Sequence, residues 1–196
     1  MEKVHAAIEA VSKWLARVGG FLLLAAALVI SFEIIARKLF LFPFNVGTEL
    51  SMYALATGAS WSFSYALLRR AHVRVDVARR PLPQAGRCIL DVAALMSLAV
   101  MASFLSYVAW TTAATSWALG ARENTPLATP LVIPQGLWFL GIFWFALVAV
   151  EQTIMAATML VRGRWSEVVQ IAGPAGAEEE FEKSSSASVV PNLAGK

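Results

Sequence analysis

The chain has 196 residues, 58% of them apolar and 15% charged, whereas an ordinary soluble domain carries roughly a quarter charged residues. Its formal net charge is +3, with the basic residues gathered at the edges of apolar runs and not in a nucleic-acid-binding pattern. A single cysteine, Cys88, excludes an internal disulfide and any metal or iron–sulfur site built on several thiolates, and it reads as a packing residue.

A helix needs about 20 apolar residues to cross a hydrocarbon core roughly 30 Å thick, and four such runs take up most of the chain. This predicts an all-α, integral membrane, four-helix protein. At the start, Val4, Ile8, Val11 and Leu15 share one helical face, and Glu9 and Lys13 are four apart. That spacing predicts an amphipathic N-terminal helix at the interface. The first crossing, about 15–41, contains the run GFLLLAAALVISF. No small-residue cleavage pattern follows it, so it is expected to stay as an anchor. The second crossing, about 49–68, is bounded by Pro43 before it and by Arg69 and Arg70 after it. The third, about 88–119, would be about 48 Å long as a straight helix, so it must tilt or protrude. Its more polar end, with Thr111, Thr112, Thr115, Ser116 and Trp117, is expected in the outer interface. Pro126, Pro130 and Pro134 predict a connecting loop, because proline fits poorly inside a helix. The fourth crossing then covers about 137–160. Residues 1–172 are thus read as one transmembrane domain. The stretch 173–196 mixes an acidic cluster with serine, glycine and proline and is expected to be a disordered cytoplasmic tail.

Lys3, Lys13 and Arg17 precede the first crossing, Arg69, Arg70, Arg74, Arg79, Arg80 and Arg87 separate the second from the third, and Arg162 and Arg164 follow the fourth. Only Arg37, Lys38 and Arg122 belong to the opposite face. The positive-inside rule then places both termini and the arginine-rich loop in the cytoplasm.

Glu33, Arg37, Asp91 and Glu151 lie in or near apolar segments, where an ionised group is unfavourable by several kcal/mol unless it is paired or faces water. Glu33 and Arg37 are spaced to neutralise each other, and Asp91 lies one turn from Arg87. Glu151 falls toward the cytoplasmic leaflet. On the second helix Ala54, Gly58, Ser62 and Ala66 recur every four residues, beside a parallel row of Ala56, Ser60 and Ser64. Small side chains let backbones approach, so this face should meet another helix, either of the same chain or of a separate subunit. The tryptophans, with the cluster Trp138, Phe139, Phe143, Trp144 and Phe145, are read as interfacial anchors or as a lipid- or partner-facing surface. Only His5 and His72 are present, and they do not make a bis-histidine haem site between helices. No phosphate loop, nucleophile elbow or paired metal ligand is found, so neither a cofactor nor an enzyme activity is expected.

From Arg37 to Asp76 the sequence runs RKLFLFPFNVGTELSMYALATGASWSFSYALLRRAHVRVD. It resembles the small permease subunits, DctQ-like, of tripartite ATP-independent periplasmic (TRAP) transporters. The matching positions are Arg37, Phe40, Pro43, Glu49, Gly58, Ala59, His72 and Asp76, and a looser similarity covers PLVIPQGLW from Pro130 to Trp138. Gly47 stands where many members carry tryptophan, and Leu50 where many carry a second acidic residue. Independently of the family, Thr48 is a candidate N-cap, and Glu49 complements the positive end of the helix dipole.

The resemblance implies a brace for the large permease subunit in a bacterial inner membrane. The transported solute is then an organic acid, delivered by a periplasmic solute-binding protein and moved by a sodium gradient. The absence of an internal repeat and of a discontinuous helix agrees with a fixed scaffold. The expected partners are the large subunit, the binding protein, touched by outer ends that include Glu49, Arg122 and Glu123, and membrane lipids. Two rivals stand beside this reading. One is an autonomous proton-coupled exporter working through Glu33, as small multidrug antiporters use a carboxylate in their first helix. The other is the membrane anchor of an enzyme complex.

Overall fold

The computed structural model describes residues 2–40, 46–71, 82–125 and 127–173. These residues form five α-helices: α1 (Glu2–Phe40), α2 (Gly47–Leu68), α3 (Gln84–Leu119), α4 (Val132–Val161) and α5 (Trp165–Ala172). The all-helical expectation holds, with corrections of detail. The amphipathic lead and the first crossing are one continuous helix, and a fifth helix follows the fourth. The short α5 has no counterpart in the sequence reading because its eight residues, WSEVVQIA, lack the length of a crossing. The expected tail beyond residue 173 lies outside the described residues, as do Pro43, His72, Asp76 and Pro126.

Among the described residues, three helices are long and apolar enough to cross a membrane, within His5–Leu39, Gln84–Leu119 and Val132–Val161. The third apolar stretch is unbroken from Gln84, four residues earlier than its apolar run suggests, because Gln84, Gly86 and Arg87 continue the helix at its polar end. α4 likewise begins at Val132 and takes in Pro134, which its residue type alone places in the loop. Pro134 sits in the first turn, where backbone N–H groups have no partner within the helix and a missing one does no harm.

α2 is 22 residues long, about 33 Å at 1.5 Å per residue, and is more polar. Its polarity is turned inward. Thr57, Gly58, Ser60 and Ser64 are buried while Leu50, Met52, Leu55 and Phe63 are exposed. α3 follows the same plan over a longer span: Ala99, Ala102, Ser106, Ala109, Ala113 and Ser116 are buried, whereas Met96, Met101, Phe104 and Tyr107 face out. Those buried positions recur at alternating steps of three and four, the seam along which helices pack side by side. Apart from Leu67, Val92 and Leu95, which are buried, these helices keep small residues inside and large apolar residues outside, the inverse of a water-soluble core and what a surrounding hydrocarbon solvent favours.

Two compact units divide the chain. The first, Met1–Leu68 with Met101–Val148, contains α1, α2, the later part of α3, the α3–α4 connection and the first part of α4. The second, Arg69–Val100 with Ala149–Lys196, contains the start of α3, the end of α4 and α5. Its buried residues include Cys88, Leu95, Ala156, Val168, Val169 and Ala172. The Cys88 thiol lies 3.9 Å from the Trp165 carbonyl oxygen, so α5 returns to the beginning of α3.

Both long helices that precede a tight connection end on a glycine with positive φ, Gly120 at 58° and Gly163 at 69°. After α3, Gly120 N–H bonds to the Trp117 carbonyl and Ala121 N–H to that of Ser116; after α4, Gly163 N–H bonds to Leu160 and Arg164 N–H to Met159. This paired pattern closes the last carbonyls of a helix and requires a left-handed residue that glycine adopts without strain.

Candidate functional site

The first unit concentrates its polar contacts at the start of α2. Glu33, 6% exposed, projects from α1 toward this helix end. Its Oε1 accepts a hydrogen bond of 2.6 Å from Arg37 Nη2, and its Oε2 accepts one from the backbone N–H of Gly47. A carboxylate from the neighbouring helix therefore serves the first N–H of α2. This corrects the assignment of Thr48 as N-cap. The helix begins at Gly47, two residues before the start that a Thr48 cap would set, and Leu50 N–H bonds to the Val46 carbonyl while the Thr48 carbonyl accepts from Ser51 Oγ. Gly47 makes the arrangement possible, since a β-carbon there would collide with Glu33 Oε2.

Two residues beyond Gly47, Glu49 is only 2% exposed. Tyr53 donates to its Oε1 at 2.8 Å, Thr125 Oγ1 donates to its Oε2, and the Thr129 side chain also hydrogen-bonds to it. Thr125 and Thr129 belong to the α3–α4 connection, a narrow hairpin-like segment. Within it Glu123 N–H bonds to the Thr129 carbonyl and Leu131 N–H to that of Ala121, both at 3.0 Å, and Arg122 pairs with Pro130 as an isolated bridge. The expectation that Glu49 itself meets a partner is corrected by this burial: any approach to it passes through the threonines that cover it. Arg122 stays exposed, with Nη1 donating to the Ala128 carbonyl at 3.2 Å.

The two small-residue rows of α2 meet different neighbours of the same chain. Gly58 packs on Gly19 of α1, and Ser62 lies close to the same glycine. Ala54 and Ala66, at the ends of that row, are half-buried. On the second row Ser60 faces Gly141 of α4, and Trp61 Nε1 donates to the Leu137 carbonyl at 2.9 Å. α2 is therefore held between α1 and α4. The aromatic cluster of α4 is correspondingly split. Trp144 Nε1 donates to the buried Ser12 of α1 at 3.0 Å, and Phe145 is buried with its ring 5.7 Å from that of Phe63. Phe145 is thus a core residue, and Trp144, half-buried, is tied to α1. Phe139 contacts Trp110 and Phe143, while Trp14, Trp110 and Trp117 remain exposed.

In the second unit Asp91 is buried, and Arg87 Nε donates to the Leu82 carbonyl at 2.9 Å. Glu151 accepts from Gln152 Nε2 at 3.0 Å. The side chain of Phe40 lies outside the described residues. Sequence reasoning missed Gly19, Gly141, Ser12, Thr125 and Thr129. Only the glycines carried a usable signal, since glycine inside an apolar helix marks a close approach.

Residues 26–159 match the family described as "Tripartite ATP-independent periplasmic transporters, DctQ component". The chain belongs to the DctQ family. No curated protein and no solved structure matches it. As a DctQ protein it is a transporter component with apolar membrane helices. Of its motif residues, Arg37, Glu49 and Gly58 all lie in the first unit, Arg37 and Glu49 in the two carboxylate clusters and Gly58 in the α1–α2 contact. The departure at Gly47 has a physical counterpart in this DctQ chain, because the side chain absent from position 47 is what lets Glu33 in.

Proposed function

We propose that this DctQ protein is a non-catalytic brace for the large permease subunit of a TRAP transporter. It takes part in sodium-coupled uptake of an organic acid handed over by a periplasmic solute-binding protein. In this reading α1 to α4 cross the bacterial inner membrane as one domain, residues 1–172. Both ends and the arginine-rich stretch lie in the cytoplasm, in line with the distribution of basic residues. The start of α2 and the α3–α4 connection are then on the outer side.

The observation that carries the reading is the occupation of Glu33. A carboxylate that shuttles protons or cations must exchange partners, whereas both oxygens of Glu33 are engaged, one by Arg37 and one by the end of a helix. Polar groups of the first unit tie helices of one chain together, and many of its large apolar side chains, among them Phe21, Leu55, Phe104 and Leu140, point outward, as a rigid surface for lipid and a partner requires. The family motifs Arg37, Glu49 and Gly58 serve that internal framework. The small-residue face of Ala54, Gly58, Ser62 and Ala66 is part of it, and the outward apolar surfaces are left for the large subunit.

Purification in mild detergent tests the proposal. The chain is expected to emerge with a large multi-helix membrane protein and to transport nothing when reconstituted alone. A chain that purifies alone and transports, losing that activity on Glu33→Gln, would establish the exporter instead. Copurification with a soluble catalytic domain would establish the enzyme anchor.

A further inference from the structure

We propose that Glu49 is a positioning residue for solute delivery, acting by holding the α3–α4 connection in the shape against which the solute-binding protein docks. This rests on the function proposed above, which places that connection on the outer side and a soluble carrier opposite it. Glu49 is too deeply covered to be touched directly, and what covers it is the connection: Thr125 Oγ1 and the Thr129 side chain bond to its carboxylate while Tyr53 holds it from α2. The segment is already cross-tied by Glu123 to Thr129, by Leu131 to Ala121 and by the Arg122 guanidinium to Ala128. Pinning Thr125 and Thr129 therefore fixes the whole hairpin relative to α2. The first N–H of α2 is already served by Glu33, so capping that helix end does not by itself explain a second buried carboxylate.

Among the described residues of the connection, the exposed side chains are Arg122, Asn124 and Leu127. A cation, an amide and one apolar group on a preformed loop suit a modest, reversible protein contact. Hydrocarbon would leave Arg122 and Asn124 without polar surroundings. A soluble carrier that must dock, unload and leave fits this surface, and preorganising the loop lowers the ordering entropy lost on docking.

The test uses the complete transporter, with this chain, its large subunit and the binding protein, in proteoliposomes. Initial uptake is measured against binding-protein concentration. Thr125→Val with Thr129→Val removes the two hydroxyl donors and leaves Glu49 in place. The half-saturating concentration of binding protein is expected to rise roughly three- to ten-fold, the effect of one or two lost hydrogen bonds. The rate at saturation should stay within about two-fold, the pattern of weakened docking rather than impaired transport. Glu49→Gln should act in the same direction, and the triple variant should add little, because both changes break one contact. Thr125→Ser keeps the hydroxyl and should behave as wild type. Should the double variant fail to assemble, Thr125→Val alone carries the same test with a smaller shift.

An unchanged half-saturating concentration in an assembled double variant would overturn the proposal. So would additive effects of Glu49→Gln and the threonine pair, which would mean that the carboxylate acts independently of the loop. Failure of the unmodified chain to associate with a large subunit is a different result, and it removes the underlying function as well.

Discussion

Gly19 of α1 and Gly58 of α2 meet backbone to backbone. A β-carbon on Gly58 would lie 2.8 Å from the Gly19 carbonyl oxygen, and one on Gly19 would lie 2.7 Å from that of Gly58. Neither atom belongs to a flexible side chain that can swing aside. Where burial of apolar surface gives little drive between helices, such close approach supplies much of the association. Gly58→Ala should therefore lower stability by about 1–3 kcal/mol, the usual penalty for forcing a methyl group into a packed contact. Gly58→Leu should separate α1 from α2. Thermal unfolding in detergent, with Ala56→Leu on an exposed part of α2 as a control, checks both.

Position 47 tests the link between the start of α2 and the Glu33 carboxylate. Gly47→Ala should be destabilising with Glu33 in place and much less so beside Glu33→Ala, because the clash is with that side chain. A coupling of about 1 kcal/mol or more between the two substitutions is expected from a double-mutant cycle. Independent, additive effects would mean that the two residues do not meet.

The α2–α4 contact predicts a similar dependence. A β-carbon on Gly141 would stand 2.5 Å from both Ser60 Oγ and Trp61 Cδ1. Gly141→Ala should displace the Trp61 ring and with it the bond to the Leu137 carbonyl. Trp61→Phe, which keeps an aromatic ring and removes the N–H donor, should have the smaller effect, about 0.5–1.5 kcal/mol. Tryptophan fluorescence followed through unfolding distinguishes the two variants.

Cys88 is buried in the second unit beside α5. A maleimide should leave it unlabelled in the native micelle and modify it after unfolding in SDS. Trp165→Ala, which loosens α5, should speed labelling of the native protein. Equal labelling before and after unfolding would show that α5 does not cover this end of α3.

How far the sequence could be read depended on the range of the interaction. α1, α3 and α4 are legible because a crossing needs a long uninterrupted apolar run, and such runs are local. The Glu33–Arg37 pair is legible for the same reason, being four residues apart on one helix. Glu49 stands out at the head of α2, but its bond to Thr125 spans 76 residues, and no local spacing reports it. The pairing of Trp144 with Ser12, 132 residues apart, makes an internal strut of a side chain that composition alone places at the surface. Pro134 misleads through a rule that weakens in the first helical turn. α5 escapes because its apolar face is only a few residues long and is completed by a distant part of the chain.

The inward polarity of α2 bears on how such a chain is made. Gly58 of α2 meets α1, whereas Trp61 and Glu49 find their hydrogen-bond partners on α4 and on the segment between α3 and α4, both of which emerge from the ribosome only later. If α2 is a crossing, it enters lipid more readily as a hairpin with α1 than alone, since the pair already shields Gly58, Ser62 and the Gly47 N–H. Ser60, Trp61 and Glu49 wait for the second half of the chain, so translation order is built into the folding of this subunit.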